Sequence, residues 1–212
     1  MKSYLTETIG TFFLVLTIGL CVTQSVAMAP LAIGFSLVVM VYAGGPISGG
    51  HYNPAVSLAA MMRGALPSNQ LLPYWGAQLA GALLAAIAVN QIMGVPLHVA
   101  PPADSSMLRA ISGEVLYTFA LAYVVLHVAT VKSSAGNSYF GLAIGATVMV
   151  GAFAMGGISG GAFNPAVGLG PAIFELVAGK GPSSMSWVVY SVGPLLGGAL
   201  AATVFKIQRP GE

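Results

Sequence analysis

The sequence predicts an all-α membrane protein with six transmembrane helices, two re-entrant half-helices and an inverted repeat. Three observations carry that expectation. Of 212 residues, 57% are hydrophobic and 6% are charged, seven Lys and Arg against five Asp and Glu. So few charges cannot clothe a water-soluble domain of this size, so lipid is the solvent. Six apolar segments are long enough to cross a hydrocarbon core of ~30 Å, which takes ~20 residues. Finally, Ile47-Ser-Gly-Gly-His-Tyr-Asn-Pro-Ala-Val56 returns as Ile158-Ser-Gly-Gly-Ala-Phe-Asn-Pro-Ala-Val167, 111 residues on (164 − 53), with eight of ten positions identical.

The first span covers about 4–24. Lys2, the apolar run and Ala27-Met28-Ala29 imitate a cleavable signal, but Glu7 sits where a signal should be basic or neutral. Glu7-x-x-x-Thr11-Phe12 also recurs as Glu114-x-x-x-Thr118-Phe119, so the span is read as retained. A second span follows at about 28–45. The decapeptide then leads into a segment at 53–63, which at ~1.5 Å per residue reaches about half-way across the core. Arg63 and Gly64 close it, Gly64 fitting a C-cap.

The third span is expected at about 70–93, and the 94–107 stretch with Pro96, Pro101 and Pro102 is the expected seam between halves. Spans at about 108–130 and 139–157, a half-span at 164–178 and a last span at 184–206 complete the chain. Pro171 predicts a kink or an early end within the second half-span. One domain, 1–212, therefore holds two repeats of about 1–95 and 108–208. Leu31-Ala-Ile-Gly34 matches Leu142-Ala-Ile-Gly145, while Gly76, Gly81, Ala82 and Leu83 match Gly193, Gly198, Ala199 and Leu200. Three spans per half is an odd number, so the second half is turned over in the membrane.

Each copy of the decapeptide has the chemistry of a helix start. Asn53 and Asn164 suit N-caps, and Pro54 and Pro165 suit the first helical position, where a missing N–H costs nothing. Irregular backbone at membrane depth is tolerated only when it is buried in protein or lines a watery cavity. Inverted half-helices would enter from opposite sides and meet by their positive N-termini, a barrier to cations and protons but not to neutral solutes. The Asn53 and Asn164 amides could donate hydrogen bonds to such a solute.

The paired Asn-Pro-Ala boxes (Asn53, Pro54, Ala55 and Asn164, Pro165, Ala166), the Glu-x-x-x-Thr-Phe openings and Val192-Gly-Pro-Leu-Leu-Gly-Gly198 resemble the aquaporin/aquaglyceroporin, or major intrinsic protein, family. The resemblance spans essentially the whole chain. It implies a passive pore in each subunit for water and small uncharged solutes, with ions and protons excluded, and homotetramers in the lipid bilayer. By the family's spacing the selectivity constriction falls on Ile33, Ala152, Gly161 and Val167. Relatives usually carry Arg where Val167 stands. An uncharged set with two very small residues implies a pore broader than a strict water filter, or equally one that closes by losing its water.

Other polar residues have structural readings beside functional ones. Glu7 and Glu114 are expected to be buried acids that accept hydrogen bonds from the loops before the half-helices, with proton relay as the sharper reading. His51, which aligns with Ala162, is expected to line the cytoplasmic vestibule, with gating by protonation as the sharper reading. His127 is expected to be a packing residue; His98 falls in the seam without an assigned role. Trp187 and Tyr190 are read as an interface belt. With the N-terminus inside, Lys2, Arg63, Lys132, Lys206 and Arg209 face the cytoplasm and only Arg109 and Lys180 face out, which predicts a multi-pass cell-membrane protein with both termini cytoplasmic.

No basic patch suggests nucleic acid. No Cys/His cluster or nucleophile–base pair suggests a metal, a cofactor or an enzyme. The alternative function is secondary transport of a small neutral solute, since inverted repeats with broken helices also build transporters. Against it, neither decapeptide contains an acid for ion coupling.

Overall fold

The computed structural model describes residues 1–181 and 184–212. It contains eight α-helices and, among the described residues, no strand: α1 (Lys2–Thr23), α2 (Ala29–Ser48), α3 (Pro54–Arg63), α4 (Leu71–Met93), α5 (Met107–Ala129), α6 (Phe140–Ser159), α7 (Pro165–Val177) and α8 (Ser184–Gln208). Six are long and apolar enough to cross a membrane. The two that are not, α3 and α7, are the half-helices. Side chains such as Phe13, Phe35, Leu84, Val150, Phe153 and Leu196 are 45–54% exposed, an outer apolar belt suited to lipid.

Each boundary has a local cause. Asn53 and Asn164 adopt extended backbone and cap α3 and α7, Oδ1 accepting from the N–H of Ala55 and of Ala166, both at 2.9 Å. Helices α2 and α6 run slightly past the expected ends at 45 and 157, to Ser48 and Ser159. They stop where Gly49 and Gly160, both at φ 88°, close the last turn in the left-handed region that glycine alone enters cheaply. Helix α7 passes through Pro171 and continues to Val177. Of the kink or early end expected there, the early end does not occur; α7 packs along α4 and α8.

Packing follows the repeat. Helix α1 lies against α4, α5 against α8, and α2 against α6 across the two halves. The half-helices are exchanged: α3 packs on α8 and α7 on α4. Glycine permits the closest crossings. A Cβ at Gly145 would stand 2.4 Å from the Gly34 carbonyl oxygen, and one at Gly34 would stand 2.8 Å from that of Gly145. The matched Leu-Ala-Ile-Gly segments thus meet each other between the halves. Gly145→Val should force the α2–α6 crossing apart at a cost of about 1–3 kcal/mol or more, read as a lower thermal-aggregation midpoint in detergent.

Contacts also correct the alignment of α4 with α8. Tyr74 and Tyr190 occupy equivalent places, each donating its hydroxyl to a helix-ending carbonyl, of Ser48 at 2.8 Å and of Ser159 at 2.7 Å. Gly81 meets the Thr8 carbonyl as Gly197 meets that of Val115. The offset is 116 residues (190 − 74; 197 − 81), so Gly81 corresponds to Gly197 rather than to Gly198. Tyr190 is accordingly buried and is no interface-belt residue.

Candidate functional site

Where α3 and α7 meet, each repeat holds the other. Asn53 Nδ2 donates to the Phe163 carbonyl at 2.8 Å, and Asn164 Nδ2 donates to the Tyr52 carbonyl at 2.9 Å. Both asparagines are almost wholly buried. Each side chain therefore caps its own helix and ties down the opposite loop, leaving one amide N–H to offer to a solute. Tyr52 and Phe163, just ahead of the caps, sit at φ 49°, a strained conformation for a side chain that large. They hold it because both backbone groups of each are used: the N–H by a carboxylate and the C=O by the opposite asparagine.

Those carboxylates are Glu7 and Glu114, both fully buried. Glu7 accepts from Ser48 Oγ (2.6 Å), His51 N (3.0 Å), Tyr52 N (2.7 Å) and Gln78 Nε2 (2.8 Å). Glu114 accepts from Ser159 Oγ (2.7 Å), Ala162 N (3.1 Å) and Phe163 N (2.6 Å). The fourth donor is missing from the second repeat because Pro194 stands in the place of Gln78, at the same 116-residue offset (194 − 78). Glu7→Gln would turn its amide hydrogens toward at least one of four donors. It should cost about 1–3 kcal/mol, more than Glu114→Gln, read as paired shifts in thermal-aggregation midpoint. Solute flux in either variant should not gain a pH dependence.

Around the junction runs an internal cavity of about 290 Å³. Ile33, Ala152, Gly161 and Val167 all line it, as do Asn53, Asn164 and His51. Pro54, Ala55, Pro165 and Ala166 do not; they are buried at the starts of the half-helices. Gly161 packs its backbone on Ala152, 3.5 Å from where a Cβ would stand, and its φ of 65° favours glycine. His51 also lines a second hollow, of about 580 Å³, beside Tyr4, Gln70, Tyr74 and Thr130. Its Nδ1 lies 3.1 Å from Ser57 Oγ.

His127 packs between Tyr123 and Phe205, Nδ1 lying 2.8 Å from the Tyr123 carbonyl oxygen. The seam between the halves folds inward rather than merely connecting them: Leu97, His98, Val99 and Ala100 line the cavity. Helix periodicity gives no signal for such a loop. Gln78 was equally silent, because no counterpart repeats it, whereas Ser48 and Ser159 lie within the duplicated decapeptide itself.

The arrangement is a lined cavity with buried, neutral hydrogen-bonding groups at its centre, and it contains no cluster of His, Cys, Asp and Glu able to hold a metal among the described residues. Comparison with known proteins agrees with this geometry. The family model described as Major intrinsic protein matches residues 1–205. Glycerol uptake facilitator protein-like 6 of Lactiplantibacillus plantarum is 35% identical over 218 residues, covering 98% of each chain. Aquaporin NIP1-1 of Zea mays is 35% identical over 219 residues, covering 99% of this chain and 75% of its own. The chain spans 62% of the length of an Arabidopsis thaliana NIP4-1 relative, at 37% identity. The aquaglyceroporin of Plasmodium falciparum superposes with a TM-score of 0.84 at 21% identity, over 99% of this chain and 97% of that one, a likeness of fold.

Proposed function

The chain belongs to the major intrinsic protein family, and from that premise we propose that it is a passive membrane channel for water and small uncharged solutes, broader than a strict water channel and closed to ions. The observation that carries the proposal is the meeting of two half-helix N-termini inside a lined cavity, each cap bonded to the opposite loop. Two helix dipoles put positive potential there, which opposes cations and protons. The single free N–H on each asparagine offers a donor to a neutral solute.

Selectivity resides, on this reading, at Ile33, Ala152, Gly161 and Val167. None of these side chains carries a polar atom, and two are among the smallest, so size exclusion is loose and no fixed charge strips the solute. His51 lines the opposite vestibule. The family resemblance supports homotetramers, and the five-to-two distribution of basic residues supports a cell-membrane location with both termini cytoplasmic.

Secondary transport has less support, because Glu7 and Glu114 are committed to loop donors and, among the described residues, no further acid stands beside the break to couple an ion. The test is stopped-flow light scattering on proteoliposomes, comparing water, glycerol and urea. Passive flux of water and of at least one larger solute, without proton uptake, is the expected result. Flux that needs an ion gradient would replace the channel reading by the transporter.

A further inference from the structure

His98 is a polar side chain on the cavity wall that belongs to neither half-helix start. It comes from the α4–α5 connection, at the end of the molecule opposite the termini. The loop that carries it is fixed in place. Leu97 is 2% exposed and packs by Gly19, the Val99 carbonyl accepts from Ser186 Oγ at 3.1 Å, and the Ala100 backbone lies against Gly160. The ring itself is held from behind. Its Nδ1 is 2.8 Å from Glu175 Oε1, on α7, and the Glu175 side chain is 8% exposed against 57% for His98. Asp104, Arg109 and Lys180 lie at the same end of the molecule and make no ion pair with His98 among the described residues.

A carboxylate can only accept, so the shared hydrogen must sit on Nδ1. In the neutral ring that leaves Nε2 with a lone pair, on the side away from Glu175 where the side chain is open. The orientation is the one that a carboxylate behind an imidazole commonly enforces. We infer that His98, positioned by Glu175, is the solute-recognition residue of this mouth of the pore, accepting a hydrogen bond from solutes that carry O–H or N–H donors. The inference rests on the channel reading above and deepens it. The constriction residues line the same cavity and carry no polar side-chain atom, so a polyol or urea-like solute that leaves bulk water at this mouth finds a compensating partner at Nε2. Water, smaller, passes without needing that contact.

The experiment uses the full-length protein in proteoliposomes and reads the ratio of glycerol to water permeability. His98→Phe keeps the ring's bulk and removes its nitrogens, and should lower the ratio about three- to tenfold, the worth of one hydrogen bond. Glu175→Leu releases the ring and should lower it comparably. Glu175→Gln keeps an oxygen able to accept from Nδ1–H and should retain most of the wild-type ratio. Should His98→Phe depress water and glycerol together through bulk, His98→Ala decides: a lowered ratio supports recognition, and an unchanged one overturns it. Unchanged ratios in His98→Phe and Glu175→Leu overturn the inference, as does a Glu175→Gln that falls as far as Glu175→Leu. A wild type that passes water alone also overturns it. A wild type that passes neither instead overturns the channel reading on which it stands.

Discussion

Asn164→Asp should both loosen the fold and admit cations. The carboxylate could still cap α7 through the Ala166 N–H, so the helix would start as before. The second function of Asn164 would be lost. Its amide now donates to the Tyr52 carbonyl at 2.9 Å, and an Asp there sets a charged oxygen against that carbonyl. Leaving a buried acceptor without its donor costs about 1–3 kcal/mol, and more when a charge is involved. The same substitution places a negative charge where two helix N-termini contribute about half an elementary charge each. Cation leak into dye-loaded vesicles should rise about tenfold or more, since ~1.4 kcal/mol off a barrier is a factor of ten. Asn53→Asp, which breaks the matching bond to the Phe163 carbonyl, should behave alike. If both variants stay as ion-tight as the wild type, the barrier to cations lies away from the junction.

The same pair shows how far the sequence alone reaches. Residues before the half-helices spelled out caps, and the structure has those caps. A propensity argument could not say that each asparagine also reaches across to the other repeat, because that bond joins residues 110 and 112 positions apart. Glu7 and Glu114 were legible as loop braces because they repeat. Gln78 was not, because the second repeat puts a proline there. The register between α4 and α8 went wrong by one residue, since runs of Gly, Ala and Leu match almost equally well at neighbouring offsets. Hydroxyl contacts of Tyr74 and Tyr190 fix it instead. His98 and Glu175 were invisible as a pair for a further reason: one sits in an irregular loop and the other is a buried acid on an apolar half-helix, and nothing local joins them.

Val167→Arg should change what passes more than any other single substitution on the cavity wall. Val167 is 3% exposed and lies two residues after the Pro165 that opens α7. It lines the cavity with Ile33, Ala152 and Gly161, none of which has a polar side-chain atom. An Arg there would bring a fixed cation and five N–H donors into that ring, and a volume that the small Ala152 and Gly161 leave room to accept. Its bulk should exclude glycerol-sized solutes, and its charge should add to the dipole barrier against cations. Glycerol permeability should fall about tenfold or more, while water, small enough to pass and able to accept from the guanidinium, should keep its flux or gain. A tenfold change requires only ~1.4 kcal/mol at the constriction, less than one buried charged hydrogen bond commonly contributes. Val56, at the same offset in the first repeat, also lines the cavity. On the orientation proposed above it marks the cytoplasmic side, and Val56→Arg should alter the glycerol-to-water ratio much less. Stopped-flow measurements on both variants decide the matter: equal ratios in wild type and Val167→Arg would remove this position from selectivity, and a larger change from Val56→Arg would move the constriction to the other half-helix.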